Sequence, residues 1–182
     1  MTVRRWIALS GAAALLAAGV VSVAQAHGPT RQKVTETVEI AATPEKVWAA
    51  VANFQDMGWH PVVEKTEGQG GNAKDATRRL TLKGGGTIDE VLAKYEPEKM
   101  TYMYRITAVD VKVLPVTNYS SNITVKPATG GRSLVEWRGA FYRGYPNNEP
   151  PPELSDQAAV AAVSGVYRAG LDALKTKLEA GS

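Results

Sequence analysis

The chain has 182 residues, with 21 Lys and Arg against 18 Asp and Glu, two histidines and no cysteine. A charge balance this close to neutral lacks the concentrated basic face of a nucleic-acid binder. The missing cysteines exclude disulfide staples, thiol nucleophiles and a C-x-x-C-H haem site, and they leave a zinc site without placeable ligands.

Arg4 and Arg5 precede an apolar run from Trp6 to about Val23, which ends in Ala24-Gln25-Ala26. A basic start, an apolar middle and an A-x-A end form the pattern of a cleaved secretory signal peptide. The run is shorter and richer in small residues than a membrane anchor of about 20 apolar residues. The expectation is cleavage after residue 26, a periplasmic protein with no membrane span, and one domain over 27–182. Without Arg4 and Arg5, 19 basic residues face 18 acidic ones, a net charge of +1. His27, as a new N-terminus, would offer amine and imidazole to copper, but no second ligand beyond His60 stands out, so no metal is expected.

The first structured stretch, "VTETVEI", alternates strictly, with Val34, Glu36, Val38 and Ile40 on one face of a strand. In "ATPEKVWAAVANF", Thr43 suits an N-cap, Pro44 the first helical position and Glu45 the positive helix end. Val47, Val51 and Phe54 recur at helical spacing, and Asp56 to Pro61 breaks the pattern. Six further strand-like runs follow: "VVEKTEG", "ATRRLTL", "TIDEVLAKY", "MTYMYRITAV", "VTNYSSNITV" and "RSLVEWRGAFY". Turn residues separate them, as in an antiparallel meander. Gly84, Gly85 and Gly86 lie between two strands, so they read as a hairpin turn and not as a phosphate loop. A Pro-rich connector, "GYPNNEPPPE", leads to a last helix. Ser155 caps it, and Val160, Val163, Tyr167, Leu171, Leu174 and Leu178 form one apolar stripe.

A curved antiparallel sheet with one apolar face needs a cover, and the last helix is the available one. This α+β order, about seven strands and a long C-terminal helix, resembles the helix-grip fold of the START and Bet v 1 superfamily. The resemblance implies a cavity between sheet and helix, with short helices after the first strand near its mouth.

Trp59-His60-Pro61 is then expected beside that mouth. His60 has either a ligand-binding or acid–base role, or a structural one with its ring bonded to backbone. Similar Trp-His-Pro segments recur there in polyketide-cyclase-like proteins. Glu90 shares the face of Ile88 and Leu92. If that face lines the cavity, Glu90 is a buried acid with a raised pKa or a partner, His60 or Arg105. Trp137 and Phe141 share a face with Val135, and Tyr102 with Tyr104, as core or as pocket lining. The candidate cavity set is Trp59, His60, Glu90, Tyr104, Trp137 and Phe141. No Ser-His-Asp arrangement stands out, and no catalytic residue is assigned. The connector carries Tyr142, Arg143, Tyr145, Asn147 and Asn148, a candidate partner surface or a lid; its consecutive prolines hold an extended shape at low ordering cost.

Two segments, "LPVTNYSS" and "YRGYPNNEPPP", are more specific. With the signal pattern and the Trp-His-Pro turn, they resemble the MxaD-like periplasmic proteins of bacterial methanol oxidation. That resemblance implies a non-enzymatic accessory role. The partners would be methanol dehydrogenase, a pyrroloquinoline-quinone enzyme, and its c-type cytochrome; any such cofactor belongs to the partner. The alternatives are a carrier of a small hydrophobic ligand and a cyclase-like enzyme using His60 and Glu90.

Overall fold

The computed structural model describes residues 28–180. The expected signal peptide and the His27 terminus lie outside the described residues. In chain order the elements are β1 (Gln32–Ile40), α1 (Pro44–Val51), β2 (Val63–Gln69), β3 (Thr77–Leu82), β4 (Thr87–Glu96), β5 (Thr101–Val109), β6 (Val116–Pro127), β7 (Ser133–Arg143) and α2 (Asp156–Glu179).

Both helices start where side chains satisfy their first free amides. Thr43 Oγ1 accepts from Lys46 N at 3.4 Å, ahead of Pro44. Ser155 Oγ accepts from Ala158 N at 3.2 Å, with Asp156 in the first turn. At the β3–β4 turn Gly84, Gly85 and Gly86 all have φ above +90°, a conformation open only to glycine at low cost.

The seven strands form one antiparallel sheet in the order β1-β7-β6-β5-β4-β3-β2. Strands β2 to β7 meander, and β1 returns to pair with β7. The inner face carries Leu92, Tyr102, Tyr104, Ile123, Val135, Trp137 and Phe141, all buried. Helix α2 covers it with Val163, Tyr167, Leu171, Leu174 and Leu178. Each such side chain contributes about 1.5–3 kcal/mol by leaving water. This is the α+β helix-grip arrangement that the element order implies.

The contact between α2 and the sheet is close. The Trp137 and Tyr167 rings stack at 4.5 Å, 12° from parallel. A Cβ on Gly170 would stand 2.5 Å from His60 Cδ2 and 2.9 Å from Trp137 Cζ3, so only glycine fits there.

One expectation changes. A single helix follows β1, and 53–62 is a run of turns. Asn53 Oδ1 accepts from Gln55 N at 3.0 Å, and Asp56 Oδ1 accepts from Gly58 N at 2.8 Å. Such local side-chain bonds offer the backbone an alternative to helix.

The two α2 glycines test this packing. Gly165 is exposed with open space around it, whereas Gly170 is enclosed. In urea denaturation Gly165→Ala should gain about 0.5–1 kcal/mol from helix propensity. Gly170→Ala should lose about 1–3 kcal/mol from overpacking.

Candidate functional site

Between the sheet, the turn after α1 and the middle of α2 lies a cavity of about 60 Å³. Its wall includes His60, Glu90, Tyr104, Tyr119 and Trp137; Met57, Val62, Val63, Leu80, Leu82, Ile88, Ile106, Val113, Leu114 and Val166 make the rest. Trp59 and Phe141, assigned to this lining from sequence, are buried but stand behind it. Trp59 packs on His60 and Trp137 with ring centres 5.8 and 5.6 Å away, and Phe141 stacks on Tyr119 at 6.0 Å.

His60 Nε2 lies 3.0 Å from the Val166 carbonyl. A carbonyl only accepts, so Nε2 carries the hydrogen and Nδ1 is left as the acceptor, facing the Val62 amide at 3.4 Å. The ring is 2 % exposed and meets Trp137 edge-on. Burial lowers its pKa below the usual 6.5, the Val166 bond opposes that, and Arg78 adds to the lowering. The imidazole is neutral at pH 7 and both nitrogens face backbone groups.

Glu90 is buried as its strand face suggests, but its partner is Arg78. Arg105, a partner considered from sequence, points to the opposite, exposed face of β5. Arg78 and Glu90 are cross-strand neighbours on β3 and β4, with Arg78 Nε 2.5 Å from Glu90 Oε2. Arg78 Nη1 donates to the Phe54 carbonyl at 2.8 Å, and the guanidinium lies 4.2 Å from the Phe54 ring centre and 5.0 Å from that of Tyr104. Burial pushes the Glu90 carboxyl up while Arg78 pulls it down. Burial opposes the Arg78 charge, yet Glu90, Tyr102 and Tyr104 hold its pKa above the ordinary value. A sequence signal for Arg78 existed: alternation in "TRRL" puts it on the face of Leu80, and the Gly84–Gly86 turn brings β3 against β4.

A hydroxyl chain completes the site. Ser121 Oγ donates to the Arg138 carbonyl at 2.7 Å, so it accepts from Tyr167 at 2.9 Å and from Trp137 Nε1 at 3.0 Å. Tyr167 then accepts from Tyr119 at 2.5 Å. Tyr104 accepts from Trp137 Nε1 at 3.1 Å, a bond that leaves its own hydrogen uncommitted. Burial raises the pKa of Tyr104, Tyr119 and Tyr167, so these phenols stay protonated at pH 7. The wall therefore offers hydrogen bonds and no ready nucleophile.

The connector is also corrected. Arg143, expected on its surface, is 6 % exposed. It donates to the Tyr145 carbonyl at 2.9 Å, the Asn147 carbonyl at 2.7 Å and Asp156 Oδ2 at 3.1 Å. A loop packed on the domain needs donors for its carbonyls, and the guanidinium fork supplies several at fixed angles. Tyr142 and Tyr145 are half-buried, and Asn147 and Asn148 are exposed.

Removing one member of the buried pair strands the other. Arg78→Ala should cost about 3–5 kcal/mol in urea denaturation, and the double variant Arg78→Met, Glu90→Leu distinctly less. For His60, the native ring binds its proton more weakly than the unfolded one, so the unfolded chain takes up more protons as pH falls below 6.5. Stability from this group is full above that value and lost below it. Between about pH 7.5 and 5 the wild type should lose more stability than His60→Gln; equal losses would contradict the assignment.

Comparisons with known proteins fit this geometry. The model of the family described as polyketide cyclase / dehydrase and lipid transport matches residues 31–179. No curated protein matches. Among solved structures, the protein XoxI from Bacillus cereus is 33% identical, with a TM-score of 0.69 over 80% of this chain and 94% of that one. Norcoclaurine synthase from Thalictrum flavum, in complex with dopamine and hydroxybenzaldehyde, is 16% identical, with a TM-score of 0.64 over 95% of this chain and 99% of that one. The Zhui aromatase/cyclase from a Streptomyces species is 19% identical, with a TM-score of 0.68 over 82% and 94%. The last two likenesses speak for the fold alone. The chain belongs to the polyketide cyclase / dehydrase and lipid transport family.

Proposed function

We propose that this protein is a non-enzymatic periplasmic accessory protein of methanol oxidation, which promotes the interaction of methanol dehydrogenase with its c-type cytochrome. One observation carries the reading. The two segments with the specific MxaD-like resemblance, 114–121 and 142–152, are distant in sequence but joined in space. Gly144 N donates to the Pro115 carbonyl at 2.8 Å, Thr117 Oγ1 donates to the Arg143 carbonyl at 3.1 Å, and Val116 pairs with Arg143 across the β6–β7 ladder. Held by Arg143, they form a stiff platform with Thr117, Asn118, Asn147 and Asn148 exposed. A preorganised surface loses little entropy on binding.

The cavity supports the same reading. Its volume of about 60 Å³ is several-fold below the roughly 300–1,000 Å³ of usual ligand pockets. Its histidine is neutral and bonded at both nitrogens, and its carboxylate is tied to Arg78. A second reading, a carrier of a small hydrophobic ligand, draws on the apolar walls and would be confined to molecules of a few heavy atoms.

Calorimetry of the mature protein with purified methanol dehydrogenase and with the cytochrome tests the proposal. Saturable binding to at least one is expected, weakened about tenfold in a Tyr145→Ala, Asn148→Asp variant. Absence of binding to both proteins at low and physiological salt would sink it.

A further inference from the structure

We infer that the outer face of the sheet, on the side away from α2, is a docking surface for an acidic protein partner. The inference rests on the partner-binding reading above and adds a surface to it.

The register places five cations on three adjacent rows of this face. One row runs Lys33–Ala140–Ser120–Arg105–Val91 across β1, β7, β6, β5 and β4. The next runs Thr35–Arg138–Asn122–Met103–Lys94. Above them Arg31 lies over the Tyr142 ring at 5.9 Å and donates to Ser120 Oγ at 3.4 Å. Neither full row contains an acidic residue. Lys94 is paired with Glu96 at 2.7 Å, and Arg138 stands 3.8 Å from Glu136. Arg31, Lys33 and Arg105 make no ion pair among the described residues. Strands spaced about 4.8 Å apart put Lys33 and Arg105 roughly 14 Å from each other. Three uncompensated, exposed cations thus share one patch of a chain whose charge is otherwise balanced.

The face also has shape. A shallow hollow of about 530 Å³ opens over Ser120, lined by Arg31, Arg105, Tyr142, Asn118 and Thr107 among others. Arg31 and Arg105 both line it, so a carboxylate entering it meets guanidinium groups. Met103 is 41% exposed beside it. Arg, Tyr and Met are enriched at protein interfaces. Asn118 and Tyr142 belong to the platform described above, so the two surfaces are continuous. A bilayer fits less well, because among the described residues the exposed large hydrophobics are Val62 and Met103, too few to anchor in a lipid interface.

The test is NMR titration of the ¹⁵N-labelled mature protein with an oligoglutamate peptide, and in parallel with phosphatidylglycerol vesicles. Expected are peptide-induced shifts at Lys33, Arg105, Ser120 and Arg138, an affinity that falls with salt, and about a tenfold loss in Arg31→Glu, Arg105→Glu. Both arginines are exposed, so the urea midpoint should hold; Arg31→Ser, Arg105→Ser replaces that variant if it does not. Shifts elsewhere, no binding, or undiminished binding by the variant overturns the inference. Vesicle binding through this face without peptide binding overturns it in favour of a lipid surface. The two proposals separate cleanly. If the peptide binds here but neither methanol dehydrogenase nor the cytochrome binds, the accessory role falls and the surface stands. If those proteins bind and the charge-reversed variant binds them equally, the surface falls and the accessory role stands.

Discussion

Helix α2 sits so close to the sheet that Gly170 has no room for a Cβ. The rest of the interior follows from that approach. His60 and Trp137 fill the space against Gly170, Tyr167 stacks flat on Trp137, and the void left between helix and sheet shrinks to about 60 Å³. Interiors are close-packed and resist local expansion. Widening the cavity would mean lifting α2, and that would break the Val166–His60 bond, the Tyr167–Ser121 bond and the aromatic stack together.

The Arg78–Glu90 pair plays a different part. Burying two charges costs several kcal/mol per ion, so the pair is poor evidence of stability in itself. Its value is positional. Arg78 reaches the Phe54 carbonyl, and the Phe54 amide donates to Asn72 Oδ1 at 2.8 Å. The turn segment that follows, which carries Trp59, His60 and Pro61, is thereby moored to β3 as well as to α2. The imidazole then bridges this turn and the helix through its bond to the Val166 carbonyl.

Much of this was legible beforehand. Strict alternation in "VTETVEI", caps at Thr43 and Ser155, and the stripe from Val163 to Leu178 each depend on one element alone, and local chemistry decides them. What alternation could not show was pairing. Glu90 reads as buried, but its partner depends on which strand lies beside β4. Arg143 continues the inward set of Trp137, Gly139 and Phe141, yet charge and the neighbouring prolines made it look displayed. Trp59 and Phe141 were rightly placed inside; whether a buried ring touches a void or backs the wall depends on ångström-scale packing. The outer basic face is likewise a property of register across five strands, and no single run of sequence contains it.

Native mass spectrometry of the protein, purified gently from its own cells without detergent, tests most directly whether the cavity is as closed as the packing of α2 makes it. The expected mass is that of the bare polypeptide, or of the polypeptide with waters only. An adduct the size of benzene or larger, lost on Ile88→Phe, which fills the cavity, and retained on Asn148→Asp, would mean that the helix opens to hold a ligand and that the cavity is not closed.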